Sequence, residues 1–564
     1  MTTARKRTLT RRELLKASGA LSVVALLGAC APAATPAPTP APTQAPAAKP
    51  AATTAPAAPA ATTAPAAPAA TAVPAATKAA ATPKKGGTLT VARTASMSHF
   101  SGVWFTRANY LFIGALSKTL IRLDKDFNPQ PELAESWQFS PDGTTLTLKL
   151  RQGVKFHSGE EFTSENVKVS WDFGVSESAT QGSQLRQLYR TIKEIKMPDK
   201  YTVQLSSEKT NPMIWDILDT LAMFDKTRVE QLSKTDAGSG PFMVTSYQPN
   251  VEAVMKRFPD YWDKTKPYID TYVVKQIPDV AAMVINLESK ALDAIEGASF
   301  LDVARLQKQP GYVFYKPYAP PIMYHLCFNP ERKPFDNKKV RQAMNHAIDR
   351  ERFCRTSLQG LSEPTWLMFP KNSWVGNPDL DGKYPYDLNK AKQLLTEAGL
   401  GNGFETSILC SKQMNFAMLD LAQIFQADLA KIGVKAKIAD VESTAYNNQW
   451  RVSDWDIVVH TYGRYNRDPG TMLQGAVAWY TKSEAGPPNF ESEDFVKWRN
   501  EAASTLDRAK RKELYRKIEM LHLDESWSAQ VAGEDAIVSA HSYVKDFVMT
   551  PESCPFMDNV WLDK

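Results

Sequence analysis

One short segment in the second half of the chain brings together side chains that can recognise a polar ligand. It follows the apolar run 455–459 and reads His460-Thr461-Tyr462-Gly463-Arg464-Tyr465-Asn466-Arg467-Asp468-Pro469. A guanidinium forms bidentate contacts with carboxylates and stacks on aromatic planes, but it repels an ammonium group. Arg464 therefore predicts recognition of an acidic or hydroxyl-rich group, unless it is a solvated loop charge. The candidate ligand-binding residues of this segment are Tyr462, Arg464, Tyr465, Asn466 and Asp468.

Other candidates for ligand contact are aromatic or polar side chains elsewhere in the chain. Aromatic rings offer a flat apolar surface to sugars and to peptide side chains, although core packing also explains each of them. The aromatic candidates are Trp104, Trp366 and Trp450, and the polar ones are His325 and Asn329.

No catalytic or metal-binding motif is recognisable. The chain has no Gly-x-Ser-x-Gly elbow, no His-Glu-x-x-His and no Gly-x-x-x-x-Gly-Lys phosphate loop, and its seven histidines do not pair at metal-ligand spacing. Catalytic triads can assemble from distant positions, so an enzyme is unsupported rather than excluded. We expect no catalytic residue, no metal and no cofactor. We also expect mostly buried free thiols at the four cysteines that match no zinc pattern, Cys327, Cys354, Cys410 and Cys554.

The charge of the chain argues against a nucleic-acid partner. The net charge is +6, but the first 85 residues carry +9, which leaves −3 from Gly86 onward. A nucleic-acid-binding protein would show a concentrated basic face. The basic run 508–512 follows an amphipathic helical pattern, so we expect it to form a solvated face.

The first thirty residues are typical of an export signal. Arg11 and Arg12 precede a 13-residue apolar run that ends before Cys30, too short to cross a hydrocarbon core of about 30 Å. The arginine pair indicates the twin-arginine route, with the general secretory route left open because Thr10 and Leu14 stand where Ser and Phe are commoner. Small residues before Cys30 indicate a lipid-attachment site. We predict a signal peptide over 1–29 and a lipid anchor at Cys30 on the outer face of the cell membrane.

The segment 30–85 should be a tether. It is almost entirely Ala, Pro and Thr, so it cannot bury enough apolar surface to offset the entropy of ordering. A flexible coil of about 50 residues reaches roughly 40 Å. We predict a disordered tether between the membrane and a globular body.

The globular body alternates strand and helix patterns, which predicts an α/β fold with mixed sheets. It is too long for one core, so two or more lobes are expected. The turn at Pro141-Asp142-Gly143 predicts a hairpin over 133–150, and Thr163 predicts a helix N-cap. Further helices are predicted over 280–287, 340–348, 388–397 and 419–431, with a helical pair over 494–523, and strands over 272–276, 294–295, 434–438 and 455–459.

An ordered set of motifs resembles family 5 of the bacterial solute-binding proteins, the oligopeptide, dipeptide and nickel receptors of ABC importers. The similarity extends over 86–564, and no single motif would establish it. The motifs include Pro131-Glu132-Leu133-Ala134-Glu135-Ser136-Trp137, Leu150-Arg151-Gln152-Gly153-Val154-Lys155-Phe156, Gly238-Ser239-Gly240-Pro241-Phe242 and Val340-Arg341-Gln342-Ala343-Met344-Asn345-His346-Ala347-Ile348-Asp349-Arg350.

The resemblance implies a two-lobed clamshell of the periplasmic-binding-protein type. Lobe I would comprise 86–319 and 529–564, with an extra subdomain at about 128–233, and lobe II would comprise 320–528. The ligand would lie between the lobes, which close on a hinge.

The resemblance also implies a function, that of a monomeric extracytoplasmic receptor. It would capture a peptide-like or other small polar solute and deliver it to an ABC permease with its ATPases. In peptide receptors of the family, an aspartate of the loop after 455–459 pairs with the peptide amine. Alignment on Tyr465-Asn466 places Arg464 there, whereas alignment on Asp468-Pro469 retains an acid. An oligosaccharide or acidic-solute receptor is therefore the alternative, and an extracytoplasmic enzyme or a sensory receptor on the same scaffold is the second.

Overall fold

The computed structural model of the protein describes residues 82–97, 110–176, 186, 188–232, 235–463, 467–475, 477–549 and 555–564. The predicted signal peptide with Arg11 and Arg12, the lipid site Cys30 and most of the tether lie outside these residues. The described chain has the predicted α/β architecture, with mixed sheets and separate hydrophobic cores. Strands and helices are numbered below in chain order.

Lobe I is built on a seven-stranded sheet. Along the sheet, its strands are β12 (Tyr312–Tyr315), β18 (Val538–His541), β11 (Ala294–Glu296), β1 (Thr88–Arg93), β10 (Thr271–Gln276), β9 (Glu252–Arg257) and β8 (Phe242–Gln248). Its helices are α1 (Tyr110–Leu116), α4 (Val280–Glu288) and α5 (Phe300–Leu306). The central strand β1 is parallel to both β10 and β11. The short pair β19 (Val544–Lys545) and β20 (Trp561–Leu562) packs against the same core.

Lobe I carries a subdomain with its own core. Its four-stranded antiparallel sheet has the order β4 (Ala134–Phe139), β5 (Thr145–Leu150), β7 (Thr202–Ser207) and β6 (Ile192–Asp199). The helices α2 (Ser164–Val175) and α3 (Ile214–Thr220) and the pair β2 (Ile121–Leu123) and β3 (Pro129–Pro131) adjoin it.

Lobe II is built on a five-stranded sheet with the order β15 (Lys435–Asp440), β14 (Glu405–Cys410), β16 (Ile457–Gly463), β13 (Ile322–Phe328) and β17 (Ser528–Glu534). Its helices are α6 (Lys338–His346), α7 (Arg350–Thr356), α8 (Leu388–Glu397), α9 (Phe416–Lys431), α10 (Ser443–Arg451), α11 (Pro469–Gly475), α12 (Glu493–Ala502) and α13 (Arg508–Glu525). Short 3-10 turns are Lys226–Gln231 in the subdomain and Pro378–Leu380, Val477–Trp479 and Lys482–Glu484 in lobe II.

Two segments join the sheets of the lobes. Residues 316–321 connect β12 to β13, and residues 535–537 connect β17 to β18. Strand β17 pairs with β13 from Cys327 opposite Ser528 to Ile322 opposite Glu534, so it belongs to the sheet of lobe II. The predicted boundary at 528/529 falls at the start of this strand. An apolar run shows that a strand is buried, but not which of two sheets it joins.

Most elements predicted from local patterns are present. The hairpin β4–β5 turns where Gly143 N donates to Ser140 O at 2.9 Å, and Thr163 caps α2 in a capping box with Asn166. One element differs, because β16 continues to Gly463 and takes in residues expected in a loop. The antiparallel partner β13 is long enough to pair with them, His325 with His460 and Met323 with Tyr462. Tertiary pairing here extends the strand beyond its apolar run.

Candidate functional site

The ends of strands from both lobes border one hollow. In lobe I, the parallel strands β1, β10 and β11 end together at Arg93, Gln276 and Glu296. In lobe II, β17 ends at Glu534. Two of these strand ends, Glu296 and Glu534, line a hollow of about 630 Å³. Its other lining residues are 297–301 and Val303 of lobe I, the connection 535–537, and Thr356, Ser357, Gln359, Phe416 and Asp420 of lobe II. Carboxyl ends of parallel strands commonly hold ligands in α/β proteins, so this hollow is the candidate site.

The lining of the hollow is acidic, and most of its carboxylates have protein partners. Glu296 Oε2 lies 3.3 Å from Arg93 Nη2, and Asp535 Oδ2 lies 2.9 Å from Lys316 Nζ. Glu534 accepts hydrogen bonds from Asn415 Nδ2 at 2.7 Å and from the Tyr324 hydroxyl. Burial raises the pKa of Asp535, and Lys316 offsets part of that rise. These contacts fix the carboxylates in place at the floor of the hollow.

Two exposed large apolar side chains line the hollow, one from each lobe. Leu301 of α5 in lobe I is 65% exposed, and Phe416 at the start of α9 in lobe II is 69% exposed. The hollow can therefore offer apolar contact from both lobes together with acidic groups at its floor.

Neither a metal-binding cluster nor a reactive thiol is present among the described residues. Among them, no group of three His, Cys, Asp or Glu side chains is placed to hold a metal ion. The three described cysteines are buried and free, and burial raises the pKa of the Cys354 and Cys410 thiols to about 12. Thiols of this kind are inert as nucleophiles. Cys554 lies outside the described residues.

Three predicted contact residues lie in the core of lobe II instead of facing the hollow. His325 is fully buried, and Trp450 and Tyr462 are each 3% exposed. The Trp450 ring stacks on His460 with centroids 4.0 Å apart, and the Tyr462 ring meets His325 edge-on at 4.9 Å. This corrects the expectation that they face the ligand. Tyr462 lies on the extended part of β16, His325 on its partner strand β13 and Trp450 on α10, and all three side chains pack in the interior of lobe II.

The histidines of this core should make lobe II acid-labile. Burial lowers the pKa of His460 to about 3 and that of His522 to about 4, and burial with its neighbours lowers the pKa of His325 well below its usual value. Because each of these histidines binds a proton more tightly in the unfolded chain, the free energy of unfolding is highest above about pH 7.5. It falls as the pH drops through about 6.5 towards the folded-state pKa. The loss is about 1.4 kcal/mol per pH unit for each histidine.

Burial raises the pKa of Glu519 to about 7, so protonation of this carboxyl increases the free energy of unfolding as the pH falls. Urea unfolding at pH 7.5 and pH 5.0 should still show a net loss of stability on acidification, since three histidines outweigh one carboxyl. His522→Gln should remove one histidine's share of that slope. An unchanged slope in this variant would contradict a neutral buried His522.

Asn329 is also a structural residue. It is 1% exposed, and its Nδ2 donates to the backbone oxygens of Ser453 at 3.2 Å and Trp455 at 3.1 Å. Its Oδ1 accepts from Glu331 N at 3.1 Å. The side chain ties the end of β13 to the segment before β16, so the expected ligand contact is corrected.

Trp366 is half-buried beside the connection between the lobes. Its Nε1 donates to Tyr384 O at 2.6 Å, and its ring lies 5.0 Å from the Arg350 guanidinium carbon. The preceding Pro364 and Thr365 line a second hollow of about 360 Å³ with residues 316–320. Ligand contact by Trp366 stays a prediction.

Asp468 is held in an ion pair rather than presented to the hollow. It is bound by Arg511, and its Oδ1 also accepts from Gly470 N at 2.8 Å. Burial raises the pKa of Asp468, and Arg511 opposes that rise. Arg511 is itself 5% exposed, which corrects the expectation that the run 508–512 is a solvated face throughout.

The remaining candidates, Trp104, Arg464, Tyr465 and Asn466, lie outside the described residues. Described residues lie directly on both sides of the segment 464–466. Gly463 pairs with Ile322 at the end of the sheet where the connection 316–321 enters lobe II. On the other side, Arg467 contacts Asp219 of the subdomain.

Sequence analysis missed the residues that join the lobes, above all Arg467, Asp216 and Asp219. Arg467 and Asp219 are 248 positions apart in the chain. No local pattern links an aspartate pair on one helix to an arginine in a distant loop, so nothing in a single sequence could have indicated this contact.

Comparison with known proteins identifies the family and the fold. The profile of the bacterial extracellular solute-binding proteins, family 5, matches residues 128–484, which is more than half of the chain. The chain belongs to this family. Solute-binding proteins of this kind are receptors of ABC importers, and the family resemblance and the two-lobed fold are both confirmed.

Relatives of this solute-binding protein have names that indicate different cargoes. Heme-binding protein A of Haemophilus influenzae is 27% identical over 75% of this chain and 82% of its own length. The dipeptide-binding protein of Escherichia coli is 28% identical over 77% of this chain and 86% of its own length. The solved ABC transporter-associated periplasmic binding protein DppA of Helicobacter pylori, in complex with the peptide STSA, is 26% identical. It superposes with a TM-score of 0.69 over 85% of this chain and 99% of that one.

The family places this solute-binding protein outside the cytoplasm, and its members are binding proteins. Within the part of the chain that the structure describes, no helix is long and apolar enough to cross a membrane.

Proposed function

We propose that this receptor is a membrane-tethered monomer that captures a peptide-like solute between its lobes and delivers it to an ABC permease. The observation that carries the proposal is the hollow formed by strand ends of both lobes, with acidic groups at its floor and Leu301 and Phe416 on its sides. An ammonium group suits the carboxylates, and apolar side chains suit Leu301 and Phe416. Peptides combine both features.

An acidic or oligosaccharide cargo is the second candidate, and Arg464 favours it. A guanidinium at the position that holds a peptide amine in relatives would repel that amine and attract a carboxylate or hydroxyl groups. Its neighbours support a place near the cleft, since Gly463 ends β16 beside the connection between the lobes and Arg467 contacts the subdomain.

A panel of defined solutes separates the two candidates. Thermal-shift measurements would compare di- to pentapeptides, oligosaccharides and nickel chelates, with calorimetric titration of every compound that raises the melting temperature. Ligands that bind only the folded state raise its apparent stability by mass action. Peptide hits support the first candidate. Hits confined to sugars or acids support the second, and no stabilisation by any class would count against both.

Arg464→Ala should weaken binding of the identified cargo if Arg464 reads an acidic or hydroxyl-rich group. The expected loss is roughly 1.5–3 kcal/mol, that of a charge-assisted hydrogen bond, with little change in folding stability. Arg464→Asp should abolish binding of that cargo and gain affinity for free peptide amines. Calorimetric titration of wild type and both variants makes the measurement. Equal affinity in all three would remove Arg464 from the site and favour the peptide.

Cys30→Ser should leave a folded receptor that no longer stays with the membrane. The motive is the cleavage-site pattern that ends at Cys30, because a serine cannot accept the thioether-linked lipid. Fractionation of cells, with proof that the signal has been removed, makes the measurement. A serine variant that still sediments with membranes would contradict lipid anchoring.

The double substitution Arg11→Lys with Arg12→Lys tests the export route separately, since it should block export only if the twin-arginine route is used.

A further inference from the structure

Lobe II and the subdomain of lobe I are joined by a buried group of charges, here termed the interlobe cluster. It consists of Asp216 and Asp219 of α3 and of Arg467, Asp468 and Arg511 of lobe II. Arg467 Nη1 lies 3.1 Å from Asp219 Oδ2 and 3.6 Å from Asp216 Oδ1. Arg467, Asp216 and Asp219 are 4%, 3% and 6% exposed, so solvent screens their interaction little.

Each carboxylate of the cluster is also fixed by a backbone amide. Asp219 Oδ1 accepts from Leu123 N at 3.2 Å, within the subdomain. Asp216 Oδ2 accepts from Asp468 N at 3.1 Å, across the lobes. Arg511 pairs with Asp468 on the lobe II side. The cluster therefore has defined geometry on both sides of the boundary that it crosses.

The charges make Arg467 the central member. Asp216 and Asp219 are three positions apart on one helix and so share a face, where their like charges repel. Burial raises the pKa of Asp219, Arg467 lowers it, and Asp216 raises it further. Without Arg467, two buried carboxylates would face each other with only a backbone amide from lobe II. Such an uncompensated pair is costly while it stays buried, and separation of the lobes would return it to water.

We propose that the contact of Arg467 with Asp216 and Asp219 is a latch that holds lobe II against the subdomain and sets the closed fraction of the receptor before any solute binds. Rotation of lobe II about the connections 316–321 and 535–537 must break this contact, because its partners belong to different lobes. This proposal rests on the proposed function in one respect, that closure of the lobes encloses the solute. Apparent affinity for any solute then scales with the closed fraction.

The latch is testable on receptor from which any co-purified solute has been removed by unfolding and refolding. Full-length receptor would carry spin labels on unnatural amino acids at Lys196 of the subdomain and Lys392 of lobe II, both exposed, which leaves the native cysteines untouched. Distance distributions from pulsed electron paramagnetic resonance would compare wild type with Arg467→Met. Wild type should show a dominant short distance, and Arg467→Met should lower the ratio of closed to open receptor at least tenfold.

Two further variants keep the proposal falsifiable if Arg467→Met folds poorly. Asp219→Asn keeps an acceptor for the Leu123 amide and removes one charge. The double variant Arg467→Met with Asp219→Asn should be more closed than Arg467→Met alone, because one of the two repelling carboxylates is gone. A merely structural role for Arg467 would not produce this recovery.

The matched control is Arg516→Met, which removes an ion pair with Asp379 inside lobe II, Nη2 to Oδ2 at 2.6 Å. It should leave the distance distribution unchanged. An unchanged distribution in folded Arg467→Met, or an equal change in Arg516→Met, would overturn the latch. Because no solute is used, that failure would leave the proposed cargo and delivery role untested and intact.

Discussion

Lys118→Met should destabilise lobe I by about 3–5 kcal/mol, the cost of breaking a buried ion pair from one side. Lys118 is 1% exposed, and its Nζ lies 3.1 Å from Asp558 Oδ2 and 3.2 Å from Glu132 Oε1. Arg122 contacts both carboxylates as well. Burial alone would raise the pKa of Asp558, but Lys118 and Arg122 hold it well below its usual range. Methionine fills much of the volume and leaves two buried carboxylates with one cation.

Urea unfolding at pH 7.5 measures this effect, with Lys155→Met as the matched control. Lys155 pairs with Asp260 at 3.0 Å, and both side chains are about half exposed, so its loss should cost less than about 1 kcal/mol. Adding Asp558→Asn to Lys118→Met should recover part of the lost stability. Equal, small losses for both lysine variants would show that the contacts of Lys118 with Glu132 and Asp558 contribute little to the stability of lobe I.

Gly240→Ala should cost at least about 3 kcal/mol, because no space exists for a methyl group. An ideal Cβ at Gly240 would lie 2.3 Å from Ala115 O and 2.5 Å from the carbonyl carbon of Leu116. The contact is with backbone at the end of α1, so no side chain can move aside. Gly240 N also donates to Leu116 O at 2.8 Å, which holds the two segments at this separation.

Gly463→Ala is the control for this substitution. A Cβ at Gly463 would meet no heavy atom of the described chain within 4 Å, so its stability should stay within about 0.5 kcal/mol of wild type. Both variants would be unfolded in urea under the same conditions. A Gly240→Ala protein as stable as Gly463→Ala would mean that α1 can withdraw from the segment before β8.

Lys118 and Gly240 show which features could be predicted from the sequence and which required the structure. The Gly238-Ser239-Gly240-Pro241-Phe242 motif was recognisable as a family feature, and the turn at Gly143 and the cap at Thr163 followed from local chemistry. Helices such as Leu388–Glu397 have the bounds that periodicity predicts. The requirement for glycine at position 240 could not be predicted, because it depends on the close approach of α1, which ends more than 120 positions earlier in the chain.

The site was predicted less well than the fold, for a physical reason. Aromatic and imidazole side chains such as Trp450, Tyr462 and His325 suit both a ligand and a core, and residue type alone does not decide between them. Tertiary structure decides it, since Tyr462 of β16, His325 of β13 and Trp450 of α10 all lie buried in lobe II. Arg467 has no distinctive local pattern at all, yet it lies where lobe II meets the subdomain.

Native mass spectrometry of the receptor purified from its own cells is the most direct test of whether it encloses a solute between its lobes. A solute enclosed between two lobes dissociates slowly enough to be carried through purification. We expect one ligand of defined mass per chain, released on denaturation and chemically unchanged after prolonged incubation with the protein. A protein that carries no ligand, and that binds none of the peptides, oligosaccharides or chelates of the solute panel, would contradict the proposed role as a solute receptor. So would one that converts its ligand into a product.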